Sequence, residues 1–146
     1  MKRLASSVLI ALVALVCSAQ WIQPNGVPAY NSAPPAKGVI LPHILAGNEI
    51  ANFQYPVTKK AYLAAARVPA VLHQLPCYCY CDRNHGHKSL HTCFESEHGA
   101  NCSTCMKEAF FAEQETKKGK TPAQIRAEII HGDYEKVDLV KINAGT

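Results

Sequence analysis

The sequence has no concentration of charge of either sign, no internal repeat and no apolar run of the roughly 20 residues that a bilayer span needs. Its 15 Lys and Arg against 11 Asp and Glu give a formal net charge of +4, which falls to +2 once Lys2 and Arg3 are set aside. That balance excludes the basic patch by which a protein holds nucleic acid or an anionic membrane surface. No alternation of strand and helix patterns surrounds Cys102 and Cys105, so a thioredoxin-like oxidoreductase lacks its usual setting. Met106 follows Cys105 where covalent haem attachment requires histidine.

What the chain does have is concentrated in one stretch. Residues 77–105, CYCYCDRNHGHKSLHTCFESEHGANCSTC, hold six of the seven cysteines together with His85, His87, His91 and His98. Chemistry built from thiolates and imidazoles is metal binding, disulfide formation or thiol redox. An even number of cysteines in an exported chain also fits a set of disulfide staples, with 15 possible connectivities.

Export is expected from the first residues. Lys2 and Arg3 precede an apolar run from Leu4 to Val16, and Cys17, Ser18 and Ala19 supply small residues for cleavage before Gln20. Lipidation of Cys17, the alternative, would anchor the protein to a membrane, but the branched Val16 stands where such signals carry a small residue.

Residues 20–56 are rich in proline and glycine and read as an extended arm or linker without a core of its own, expected to add little to stability. Its apolar patch of Val39, Ile40, Leu41, Ile44 and Leu45 is expected to dock on the module or on a partner protein. A mainly α module follows over residues 57–135, with helical modules flanking the Cys/His-rich loop, and a tail over 136–146. Thr58 is the expected N-cap of a first helix, and Pro69 opens a short second one. Asp82, Asn84, Gly86 and Gly99 mark loops, and a short element through Leu90 to Phe94 turns those two side chains inward. A long helix is predicted from Ser103 or Thr104 to Lys118, then a third from Thr121, where a Thr-x-x-Gln capping box and Pro122 coincide, to Gly132. Val137, Leu139, Val140 and Ile142 alternate loosely, as in a short strand.

In an extended C-x-C-x-C segment Cys77, Cys79 and Cys81 would face one side at spacings of roughly 6.5 Å, whereas two thiolates on one tetrahedral ion lie about 3.8 Å apart. The segment must therefore curl, or its sulfurs serve more than one ion. Cys102 and Cys105 at a helix start lie near unpaired N–H groups, which suits a metal-ligand pair or a redox dithiol. Soft thiolates select Cu(I), so copper fits the donors better than zinc, the alternative metal. His43, His73 and His131 read as surface or boundary residues, while His85 and His91 are divided between solvation and ligation.

Pro76-Cys77-Tyr78-Cys79-Tyr80-Cys81 resembles the motif of a family of exported bacterial proteins named for the sequence PCYCGC. Gly86-His87-Lys88-Ser89, Cys93-Phe94, His98-Gly99, Cys102-x-x-Cys105 and the segment from Gly119 to Tyr134 with Ile125-Arg126 extend the resemblance over residues 60–134. It implies a metal role, with copper or haem as the group bound. Carried over position by position, the candidate ligands are Cys77, Cys79, Cys81, His87, Cys93, His98, Cys102 and Cys105. Tyr80 departs from the family's glycine, which puts a glycine-dependent turn in doubt. The reading is an exported metal-binding protein acting in metal capture, delivery or electron transfer beside a protein partner or membrane complex. The opposing reading is a disulfide-stapled structural subunit without metal.

Overall fold

The computed structural model describes residues 26–145. The proposed signal segment and Cys17 lie outside the described residues. Six helices occur among those described: α1 Thr58–Arg67, α2 Pro69–Leu72, α3 Cys81–His85, α4 Ser103–Lys117, α5 Pro122–His131 and α6 Leu139–Ala144. Three 3-10 turns, Leu90–Phe94, Glu97–Asn101 and Asp133–Lys136, complete the regular structure, and no strand is present among these residues. The fold is thus mainly α, as the sequence predicts. None of the described helices is long and apolar enough to cross a membrane.

The core is organised by α1 lying along α4. On α1, Thr58, Ala61, Tyr62 and Ala65 recur at helical spacing and are buried; small alanines allow close approach to α4, where Cys105, Met106 and Ala109 are fully buried. Tyr62 meets the edge of Phe94 at 4.9 Å between ring centroids and donates its hydroxyl to the Ser96 carbonyl at 2.6 Å. This contact ties the first 3-10 turn to α1. Leu90 and Phe94 point inward as expected, and both are fully buried. Thr58 does not cap α1: its buried hydroxyl donates to the Ala100 carbonyl at 3.0 Å, and Val57 is the residue ahead of the helix. Burial redirects a side chain whose local preference is to cap.

The start of α5 has the predicted capping box between Thr121 and Gln124, proline in its first turn, and Gly132 in the left-handed conformation at its end. Ile125 and Ile129, one turn apart, are fully buried. Two local expectations are corrected. Asp82 and Asn84 lie within α3 instead of a loop, because Gly86 closes the turn by donating its N–H to the Cys81 carbonyl. The tail is the helix α6 instead of a strand: the Asp138 carboxylate accepts the N–H groups of Val140 and Lys141, and Leu139 and Ile142, three apart, pack on the core.

Residues 26–56 contain no helix or strand and run irregularly over the module. Of the apolar patch, Ile44 is buried and Leu45 packs on the core, while Val39 and Ile40 are exposed. Backbone bonds fasten this path, with Leu45 N–H to the Phe94 carbonyl at 3.0 Å and Ala29 N–H to the Asp82 carboxylate at 3.0 Å. Ile44 and Ile50 both join the core, so the segment adds stability that its breakers conceal. A chain beginning at Pro56 is expected to lose roughly 3–6 kcal/mol, the burial of two isoleucines, in a denaturant titration.

Candidate metal centre

Pro76 brings the chain out of α2, and the peptide from Cys77 to Tyr80 then turns on itself, with Tyr80 N–H bonded to the Cys77 carbonyl at 3.1 Å. The C-x-C-x-C segment is therefore curled, not extended. The turn uses a left-handed residue, Tyr80 at φ 57°, at the position where the PCYCGC motif has glycine. Tyr80 keeps the turn that glycine would make without strain. Its ring packs under the Arg83 guanidinium at 4.0 Å and against Tyr78 at 5.8 Å. Tyr80→Gly relieves about 1–2 kcal/mol of left-handed strain but loses the cation–π contact and adds chain entropy, so stability should change by less than about 1 kcal/mol. Tyr80→Val, branched at a positive φ, should cost more than about 1 kcal/mol; denaturation midpoints separate the two.

The curl gathers sulfur. Cys77 Sγ lies 3.3 Å from Cys79 Sγ and 3.4 Å from Cys105 Sγ; Cys105 and Cys79 are 3.7 Å apart. Cys81 Sγ and Cys93 Sγ are separated by 3.3 Å. His98 Nε2 stands 3.9 Å from Cys79 Sγ, and His87 Nδ1 stands 3.3 Å from Cys93 Sγ. These spacings, 3.3 to 3.9 Å, lie at or up to half an ångström below the ~3.8 Å edge of a tetrahedron with metal–sulfur bonds of about 2.3 Å. No pair of sulfurs in this set approaches the ~2.05 Å of a disulfide, and all six cysteines described are free. Two ligand sets have all their donor atoms within 4.8 Å of one another: Cys77, Cys79, Cys93 and Cys105, and Cys79, Cys81, Cys93 and His98. Distance and donor type both fit a metal ion.

Each part of the chain delivers its donor for a local reason. Cys105 is in the first turn of α4, where the Cys102 sulfur accepts its N–H at 3.4 Å, a thiol acting as N-cap. Cys93 hangs from the 3-10 turn that Leu90 and Phe94 anchor in the core. Gly99 holds the next turn against it: a Cβ there would meet the Cys93 carbonyl at 2.9 Å. Cys77, Cys81, Cys93 and Cys105 are buried, whereas Cys79 and Cys102 are partly open. Cys79, Cys81, Cys102, His85 and His98 face an open cleft of about 490 Å³.

The thiols share protons unevenly. Hydrogen bonds from Cys102, Cys105 and Cys77 hold Cys79 far below the ordinary thiol range, as the thiolate at the centre of a ring of donors. Cys77 is pushed well up by its bonds to Cys105 and Cys79. For Cys102, the bond from Cys105 lowers the thiol, but Cys79 beside it and burial prevail and push it up to about 11. Burial, with His98 nearby, lowers His87 and favours the neutral imidazole that ligates.

Of the eight candidates, Cys77, Cys79, Cys81, Cys93, Cys105 and His98 come together in the two ligand sets. His87 touches the cluster through Cys93, and Cys102 borders it without entering either set. His85 packs on His87 and His98, at 5.9 and 4.8 Å between rings. His91 is buried elsewhere, its Nδ1 2.8 Å from Glu95. His43, His73 and His131 pair with Glu49, Asn31 and Asp133, away from the sulfurs.

Sequence reasoning missed Glu108. It lies one helical turn after Cys105, fully buried, with one carboxyl oxygen accepting Tyr78 N–H at 2.7 Å and the other, Oε2, without a partner. The spacing Cys105-x-x-Glu108 on one helix face was the available signal. Burial raises its carboxyl well above its ordinary 4.5, despite the bonds from Cys77 and Tyr78 N–H that oppose the rise. The folded protein thus holds a proton that the unfolded chain releases, and the associated stability is present below pH ~4.5 and lost as the pH climbs toward the folded value. Glu108→Gln keeps the shape and removes the titration. In the reduced, metal-free protein its stability relative to wild type should rise as the pH climbs above about 4.5, read from paired denaturation curves.

Comparison with curated proteins and with solved structures finds none similar to this chain. One family, described as proteins of unknown function with a PCYCGC motif, matches residues 41–137. The match takes in Ile44 and Ile50, the part of the arm that enters the core, as well as every candidate ligand. The turn, the sulfur cluster and the helices that carry it all fall inside that match, and the chain belongs to the PCYCGC-motif family.

Proposed function

We propose that the protein is an exported copper-binding protein that captures Cu(I) in its sulfur cluster and delivers it, or passes electrons through it, at a protein partner or membrane complex. The observation that carries this reading is a compact set of five cysteine sulfurs and one imidazole, opened to solvent at Cys79 and closed behind it. Polarizable thiolates favour Cu(I) over harder ions, and copper stands above zinc in affinity at nitrogen and sulfur sites. A half-exposed ligand at the edge of a cleft is the feature that ion transfer requires, because an incoming thiolate can attack there without unfolding the site. The basic start, apolar run and small residues before Gln20 support export.

Zinc is the second reading, favoured by the four-thiol set Cys77, Cys79, Cys93 and Cys105, whose donor count is that of a structural zinc site. A competition separates them. Reduced protein loaded with Zn(II) is titrated anaerobically with Cu(I) while released zinc is followed with a chromogenic chelator. The copper reading expects zinc to leave in step with the first equivalents of Cu(I). Zinc retained against an excess of Cu(I) would contradict it.

A further inference from the structure

We propose that the cluster holds two Cu(I) ions side by side, with the sulfurs of Cys79 and Cys93 bridging them. The inference rests on the copper reading above and adds the number of ions and the role of each ligand.

The geometry points to a pair because the two ligand sets share two members. Cys79 and Cys93 belong to both; Cys77 and Cys105 complete one set, Cys81 and His98 the other. A single tetrahedral ion uses four donors. Seated in the first set, it would leave Cys81, buried at 3% exposure and within 4.8 Å of the Cys79 and Cys93 sulfurs, and His98, turned toward the same sulfurs, without an ion. Two ions use all six donors, with two thiolates bridging.

Charge leads to the same arrangement. Each ligating thiol loses its proton on binding, and four of the five cysteines in the two sets are buried. One monovalent ion leaves most of that negative charge uncompensated in a site that excludes water, and each further ion removes one unit. The valence is constrained too. Two tetrahedra sharing an edge place their ions ~2.7 Å apart when metal–sulfur bonds are about 2.3 Å. At that separation a divalent pair repels four times as strongly as a monovalent pair. The shared edge therefore suits Cu(I). Loading involves no change of oxidation state: Cu(I) arrives as a Cu(I) complex, its bonds to the carrier's ligands break as sulfur–copper bonds form, those ligands depart, and the thiol protons pass to solvent.

The test is an anaerobic titration of the reduced full chain with Cu(I) against a chromogenic chelator, with bound copper counted by native mass spectrometry and the product measured by X-ray absorption. Saturation at two ions per chain and a copper–copper vector near ~2.7 Å are expected. Cys81→Ser and His98→Ala each leave the first set whole, so each should saturate at one ion and lose the vector. Using both variants, with helicity checked by circular dichroism, guards against the failure of either to fold. Wild-type saturation at any number other than two, or a folded Cys81→Ser protein that keeps two ions and the vector, would overturn the pair. Saturation at one ion would leave the copper reading standing, whereas a reduced protein that takes no Cu(I) would remove that reading and the pair together.

Discussion

Stripping metal from the reduced protein is expected to release residues 77–88 from protection against hydrogen exchange and to lower Tm by at least ~20 °C. Metal binding to a thiolate site of this kind is worth on the order of 10 kcal/mol, and about 1 kcal/mol shifts Tm by several degrees in a domain of this size. The reason for a local release lies in how the stretch is held. Between Cys77 and Lys88 only the cysteines Cys77 and Cys81 are buried, and their sulfurs face other sulfurs. Without a cation the metal–sulfur bonds are gone and these sulfurs keep only weak S–H···S contacts to one another. Residues 90–94 behave differently, because Leu90 and Phe94 are fully buried among α1 and α4 side chains. Amides of α1 and α4 should therefore stay protected while those of 77–88 exchange. Equal protection along 77–88 with and without metal would show that packing alone holds the curl.

Cys79→Ser should reduce Cu(I) affinity by at least ~100-fold, the largest effect of any single cysteine apart from Cys93. Cys79 belongs to both ligand sets, is the thiolate of the ring, and is the member opened to the cleft. A serine hydroxyl is a hard, neutral donor at a site built from soft anions. Cys102→Ser is the matched comparison. Its sulfur borders the cluster and caps α4 but enters neither set, and a serine still caps, so the loss should stay below about 10-fold, as for partners outside the ligand shell. Competition with a Cu(I) chelator of known affinity gives both numbers on one scale. Equal losses for the two variants would remove the distinction between ligand and border.

Much of this arrangement was legible in the sequence where the signal is local. The capping box at Thr121, the glycine ending α5, the inward Leu90 and Phe94 and the cysteine pair at the start of α4 each depend on a few adjacent residues. The C-x-C-x-C spacing implied either a curl or more than one ion, and the fold shows the curl directly at Tyr80. The errors arose where distant parts of the chain decide. Thr58 is diverted from capping by the Ala100 carbonyl, 42 residues away. Ile44 and Ile50 look like part of a linker until the core they enter is known. Val137 to Ile142 alternates like a strand, but the Asp138 cap and the lack of any strand to pair with among the described residues make a helix. Glu108 carried no separate mark, since its significance comes from what surrounds it: the turn at Tyr78 and the cysteine below it. His91, level with His85 in the sequence, is separated from the sulfurs only by the direction in which the 3-10 turn faces it toward Glu95.

The central claim is that the five cysteines of the two ligand sets are held for metal and that none of the six described cysteines is in a disulfide. Its most direct test is elemental analysis of the protein isolated without reductant or chelator from the cells that make it, with thiols counted in the same sample before and after metal removal. The account predicts copper in the preparation, few thiols open to alkylation at first, and six once the protein is unfolded and the metal is taken up by a chelator. A metal-free protein in which unfolding without reductant exposes none of these thiols would contradict it, and would make the cluster a set of disulfide staples.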